Sequence, residues 1–263
     1  CRHRCFVRSL GGWLRRSWDG QSGPPPGRLM IGLLLSAEAL YRGAVFLRNR
    51  SYDLGILRES ESGIPIISVG NLAIGGTGKT PVSSWLITHL IRMGHRPALV
   101  TRGYGSDEVL LHQVRNPGVP VVVQKSKLEG VAQAAREGAT VAVLDDGFQH
   151  RAARRDVDIV LLAAEHGLEG PLLPRGRFRE PVSALSRADA IVVTRKVATQ
   201  DAACAVGRLA TGWAPKAVWG QIHLKEDSWT ELGHGPTAET PAQAPAGPPA
   251  GDLLAVSSIA EPE

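Results

Sequence analysis

From residue 64 onward, short continuous apolar runs alternate with segments of helical periodicity. Ile64–Val69 lies between Gly63 and Gly70, as a buried strand does. Further runs of this kind are Pro97–Thr101, Pro120–Val123, Thr140–Leu144, Val157–Ala163 and Ala190–Thr194. Between them, Val82, Trp85, Leu86, Leu90 and Met93 recur at helical spacing, with Pro81 near the start of the segment and Gly94 just past its end. Lys127–Glu137 predicts a second helix closed by Gly138. Strands that are apolar throughout, rather than alternating, are covered on both faces, so the pattern predicts an α/β fold with a mostly parallel sheet between helical layers.

Outside this region the pattern changes. Leu29–Leu47 is the most apolar stretch, but Glu38 and Arg42 interrupt it. They lie four residues apart and pair on one helical face. Each charge at mid-bilayer would cost roughly 2.5–3.5 kcal/mol, which favours a helix lying in the membrane interface over a full span. In that reading Arg42, Arg48 and Arg50 turn toward lipid phosphates; packing of the helix on its own domain is the alternative. Beyond Thr194, Ala198–Ala210 predicts a helix and Ala217–Leu224 a strand, and Gly235–Gly251 is a Pro/Ala/Gly-rich linker. The expected organisation is therefore a basic, disordered arm (1–28), a membrane-associated amphipathic helical segment (29–60), a nucleotide-binding domain (61–200), a linker with weak strands (201–251), and the opening of an incomplete second lobe (252–263).

Charge narrows the class of partner. The net charge of +5 and pI near 9.4 favour anionic ligands, whether nucleotide phosphates, lipid headgroups or nucleic acid. Nucleic acid is disfavoured, because the basic residues concentrate in the first 28 positions, which hold six arginines, without clustered Lys and interleaved aromatics. Three cysteines at positions 1, 5 and 204 provide neither a disulfide framework nor ligand spacing for a metal. A chain beginning at Cys1 reads as a fragment or a processed product.

Two motifs carry chemistry. Gly75-Gly76-Thr77-Gly78-Lys79-Thr80 sits between a predicted strand and a predicted helix, the context in which a P-loop wraps phosphate oxygens with backbone amides. Lys79 is placed for the β- and γ-phosphates and the Thr80 hydroxyl for Mg²⁺. The strict pattern has glycine where this chain has Ala73. Asp145-Asp146 ends the strand Thr140–Leu144, where a P-loop enzyme needs a carboxylate for the metal opposite Thr80. Two adjacent carboxylates divide metal binding from support of the nucleophile.

The motifs Ser68-Val69-Gly70-Asn71-Leu72, Gly75 to Pro81, Arg102-Gly103-Tyr104-Gly105, Asp145-Asp146-Gly147-Phe148-Gln149-His150-Arg151, and Leu173-Pro174 with Arg179-Glu180-Pro181 occur in order. Together they resemble the tetraacyldisaccharide 4′-kinase family, the lipid A 4′-kinases of Gram-negative bacteria, over Leu29 to Asp201 and thinly over Leu253–Pro262. The resemblance implies a P-loop NTPase-like fold and transfer of the γ-phosphate of ATP to the 4′-hydroxyl of an acylated disaccharide 1-phosphate. It implies Mg²⁺, work at the cytoplasmic face of the inner membrane, and peripheral contact with anionic lipid. It makes Ala73, Ile74, Gly75, Gly76, Thr77, Gly78, Lys79 and Thr80 the ATP-binding stretch, Thr80 and Asp145 metal ligands, and Lys79 and Asp146 catalytic. Arg151, Arg177 and Arg179 become candidates for lipid phosphate contacts. The family's candidate base matches Asp107 in Ser106-Asp107-Glu108, with the stretch after Gly105 shortened. The His that the family places in its C-terminal lobe has no counterpart here. Rival readings are another P-loop ATPase or small-molecule kinase, and a non-catalytic nucleotide-binding remnant.

Overall fold

The computed structural model describes residues 28–103 and 106–225. The expected arm and the expected start of a second lobe lie outside the described residues, as do the linker beyond residue 225 and the Asp107 side chain. Seven strands form one sheet in the order β3-β2-β4-β1-β5-β6-β7. They are β1 (Ile66–Asn71), β2 (Pro97–Thr101), β3 (Val121–Val123), β4 (Val141–Asp145), β5 (Val157–Ala163), β6 (Ala190–Arg195) and β7 (Val218–His223). Every pairing is parallel, as the continuous apolar runs require.

The helices are α1 (Arg28–Asp53), α2 (Lys79–Arg92), α3 (Ser106–Arg115), α4 (Lys127–Arg136) and α5 (Gln200–Trp213), with a 3₁₀ helix at Val182–Arg187. Alternate strand residues serve opposite layers. Val69, Leu99, Val143 and Leu161 pack with Val82, Leu86, Ile87 and Leu90 of α2. Ala98, Val100, Ala142 and Leu144 pack on the other face with Val131 and Ala134 of α4. Val160, Leu162, Ile191 and Val193 join Ala203, Val206 and Ala210 of α5.

Three differences from the sequence expectation have physical causes. α3 stands where a shortened connection was expected. Its buried position is His112, while Leu110 and Val114 are exposed, so no apolar stripe announces the helix. β7 pairs with β6 along its length, so the sheet runs through His223 rather than ending at residue 200. Finally, α1 ends at Asp53, within the expected helical segment, and from Glu38 onward it docks on the domain, the alternative reading. The predicted Glu38–Arg42 pair forms at 3.0 Å. Glu38 is buried, accepts the Leu172 amide at 3.0 Å and contacts Arg175. Arg48, expected toward lipid, pairs instead with the buried Glu180 at 3.2 Å.

Candidate functional site

β1 is flanked by β4 and β5; the chain leaves β1 toward β2 on one side, and leaves β5 toward β6 on the other. Such a reversal opens a crevice at the carboxyl ends of the strands. Leu72–Gly78 crosses it and leads into α2. Gly78 is the residue before the helix, at φ 78°, a left-handed conformation that demands glycine. No side chain caps α2. Its first amides therefore point at the crevice with the positive end of the helix dipole behind them.

The rest of the loop is pinned from beneath. Asn71 Nδ2 donates to Thr77 Oγ1 at 2.9 Å, and the Thr194 hydroxyl donates to the Thr77 carbonyl at 3.0 Å. Ala73 pairs with Phe178, and Ile74 N donates to Arg177 O at 2.8 Å. The Ala73–Thr80 stretch thus lies between β1 and the 172–179 segment, with Thr77 buried and Lys79 and Thr80 half-buried at the crevice.

Register brings the acidic pair alongside: Asp145 is the partner of Val69 in the β1–β4 ladder. Lys79 Nζ lies 3.9 Å from Asp146 Oδ1. Arg179 Nη1 donates to both oxygens of Asp146 at 2.8 and 2.7 Å, so Asp146 and Arg179 meet as a pair. Burial alone would raise the Asp146 pKa, but Lys79 and Arg179 outweigh it and hold the carboxyl below the usual range. Asp145 behaves oppositely. It is buried, and burial pushes its carboxyl up against the pull of Lys79 and His112. Its Oδ2 faces His112 Nε2 at 3.9 Å, and its Oδ1 has no hydrogen-bond partner among the described residues. Burial lowers the His112 pKa against the opposing pull of Asp145.

Three more residues converge from the motifs and from α4. Gln149 donates to the Asn71 carbonyl at 2.7 Å. His150 Nδ1 lies 3.1 Å from Arg102 Nη2, and burial with Arg102 pushes its pKa down to about 4. Lys127, which the sequence marks only as a helix start, is 2% exposed and donates to the carbonyls of both Asp145 and Asp146. Burial outweighs the pull of Asp146 and Asp145 and lowers its ammonium to about 8. A lysine after a cap-type serine looks like any surface helix start; nothing local marks it as buried.

Arg151 lies elsewhere. It is buried under α1, donating to Asp53 Oδ1 at 2.8 Å and Asn49 O at 3.0 Å, with Glu59 at 3.6 Å and the Tyr52 ring 5.0 Å away. That guanidinium is committed to the α1 joint rather than offered to a lipid phosphate. Arg177 is also buried, beside the loop.

A glycine loop between a central parallel strand and a helix, faced by carboxylates from the adjacent strand, defines a P-loop α/β protein. Within that class, the family model described as tetraacyldisaccharide-1-P 4′-kinase matches residues 30–109 and 105–263, and the chain belongs to that family. The two matched pieces meet at residues 105–109, where the sequence reads as shortened. The chain is similar to the tetraacyldisaccharide 4′-kinase of Chlorobium limicola, 36% identical over 66% of this chain and 57% of the relative. It is also similar to that of Anaeromyxobacter dehalogenans strain 2CP-C, 40% identical over 77% of this chain and 61% of the relative. The chain thus spans about three fifths of the length of the relatives it matches. A crystal structure of LpxK from Aquifex aeolicus in complex with ATP superposes with a TM-score of 0.57 at 34% identity, covering 60% of this chain and 57% of that one.

Proposed function

We propose that this chain binds magnesium-ATP at Gly75–Thr80 and transfers the γ-phosphate to the 4′-hydroxyl of a tetraacylated disaccharide 1-phosphate, a lipid A precursor. One observation carries the reading: Lys79 lies 3.9 Å from Asp146, next to Asp145 at the end of β4, behind a glycine loop whose helix amides are uncapped. The amides and Lys79 bind the β- and γ-phosphates, and the substrate oxygen displaces ADP from the γ-phosphorus. Asp107, in the first turn of α3, takes the hydroxyl proton, and Arg179 balances charge beside the transferred group.

The residues fit a magnesium ion. Asp145 keeps one buried oxygen without a hydrogen-bond partner among the described residues, and Thr80 stands at the start of α2. No group of three or more His, Cys, Asp or Glu gathers among the described residues. None is needed, because Mg²⁺ in nucleotide sites takes one or two carboxylates, substrate phosphates and water. When bound, the ion neutralises charge developing on the β- and γ-oxygens.

The amphiphilic substrate places the work at the cytoplasmic face of the inner membrane. α1 supports that placement: Leu29, Leu33, Leu40, Phe46 and Leu47 are all at least 60% exposed on a helix whose other side is bound to the domain. An exposed apolar face of this size attracts a partner or a bilayer.

The test is transfer of labelled γ-phosphate from ATP to a lipid A precursor in detergent micelles. Labelled product from the wild type and a loss of product with Lys79→Ala support the reading. Equal product from both, or no product from the wild type, overturns it.

A further inference from the structure

We propose that Lys127 is a positioning residue for this site, clamping the main-chain carbonyls of Asp145 and Asp146 so that both carboxylates turn toward the phosphate loop. The proposal rests on the functional reading above, and its consequences reach the metal carboxylate rather than the nucleotide.

Three features converge on this role. First, the lysine is costly where it stands. It opens α4, where the helix dipole already places positive partial charge, and it is 2% exposed. Ser126 already accepts the Glu129 amide and caps the helix, so helix formation asks nothing of a lysine here. Second, its acceptors are the carbonyls of two consecutive residues, with the contact to Asp146 O at 2.6 Å. Third, those two residues turn sharply. Asp146 is the one non-glycine residue at positive φ among the described residues, at 53°. The following Gly147 has no room for a Cβ, which would lie 2.5 Å from Ser68 Oγ.

This turn sends the two carbonyls toward α4 and the two carboxylates toward Lys79, Arg179 and His112. A side chain at positive φ is strained and persists only when its surroundings over-determine it. A three-donor ammonium that grips both carbonyls does this. Lys127 therefore acts on the metal carboxylate through the backbone, as outer-shell groups act on ligands. Loss of such groups typically costs about 10–100-fold in metal affinity or activity.

The experiment compares the whole chain with Lys127→Met, which fills the volume without donors, and Lys127→Arg, whose guanidinium also spans two carbonyls. Lys127→Gln, with a neutral donor, replaces the methionine variant if that one fails to fold. The readouts are Tm, ATP affinity without metal, Mn²⁺ affinity of the ATP-bound protein by electron paramagnetic resonance, and phosphate transfer. Lys127→Met is expected to keep metal-free ATP affinity within about threefold while Mn²⁺ affinity falls about 10–100-fold, with Lys127→Arg restoring most of it. A lower Tm with unchanged Mn²⁺ affinity, or an arginine variant no better than methionine, overturns the proposal. If the wild type binds Mn²⁺-ATP but transfers no phosphate, the lipid-kinase reading fails and the Mn²⁺ comparison still decides the role of Lys127.

Discussion

The crevice above β1 and the joint between α1 and the sheet are built from the same stretches of sequence, yet they use charge in opposite ways. At the joint, opposite charges close on one another. Glu180, fully buried, takes Arg48 at 3.2 Å, Asn49 at 2.8 Å and Arg187 at 3.0 Å. Arg151 is closed off in the same way by Asp53 and Asn49. At the crevice, Asp145 retains an oxygen without a hydrogen-bond partner among the described residues, and three cations, Lys79, Arg179 and Lys127, serve two carboxylates. Among the described residues Arg151 Nε and Arg187 Nε at the joint also lack a hydrogen-bond partner, so the difference lies in the acids. The joint carboxylates are taken up by cations, whereas at the crevice a buried carboxylate oxygen at a strand end is left for something that arrives. The seven residues from Asp145 to Arg151 divide between the two, with acids at the crevice and the last arginine at the joint.

This contrast is open to attack by substitution. Glu180→Ala leaves Arg187 without its carboxylate and breaks the link to Arg48 and Asn49, and should cost about 3–5 kcal/mol of unfolding free energy, measured by urea denaturation, while folded protein keeps its ATP affinity. Lys79→Ala should do the reverse, cutting phosphate transfer by on the order of 10²–10³-fold with the urea midpoint unchanged. A matching stability loss in Lys79→Ala would erase the distinction. Arg151→Ala should destabilise by about 1.5–3 kcal/mol, because charged hydrogen bonds to Asp53 and Asn49 disappear. It should leave transfer by folded protein intact. Tyr41→Phe removes one bond from α1 to the Arg179 carbonyl, made at 2.9 Å, and should cost about 0.5–1.5 kcal/mol.

The pH dependence of stability approaches the comparison from another side. His150 titrates near 4 in the fold, because burial and Arg102 disfavour its charged form, against an ordinary value of 6.5. Between those values the unfolded chain binds a proton that the fold refuses, so stability is present above pH 6.5 and declines as pH falls toward 4. His150→Asn should flatten that slope in urea titrations at pH 5 and 7. An unchanged slope would show that His150 does not contribute to it.

Much of this was legible in the chain itself. The β2 and β5 runs coincide with the observed strands, and the other core strands begin or end within two residues of their apolar runs. Strand and helix periodicity is set by neighbours along the chain, and a glycine loop before a helix needs only local geometry. α3 was hidden because its buried face is polar, at His112 and just beyond it at Asn116. Lys127 was hidden because its partners lie 18 and 19 residues away, across β4.

The sequence alone determined the succession of parallel strands, the phosphate loop, the carboxylates at the end of β4 and the family to which the chain belongs. Only the tertiary structure decided that Arg151 clasps α1, that Arg179 meets Asp146, and that Lys127 is buried behind the acidic turn. The physical reason is range. Patterns repeating every two to four residues report which face is apolar. The burial of a charge depends on partners as far apart as the 98 residues between Arg151 and Asp53, or the 137 between Arg175 and Glu38. Those distances close only when the sheet is assembled.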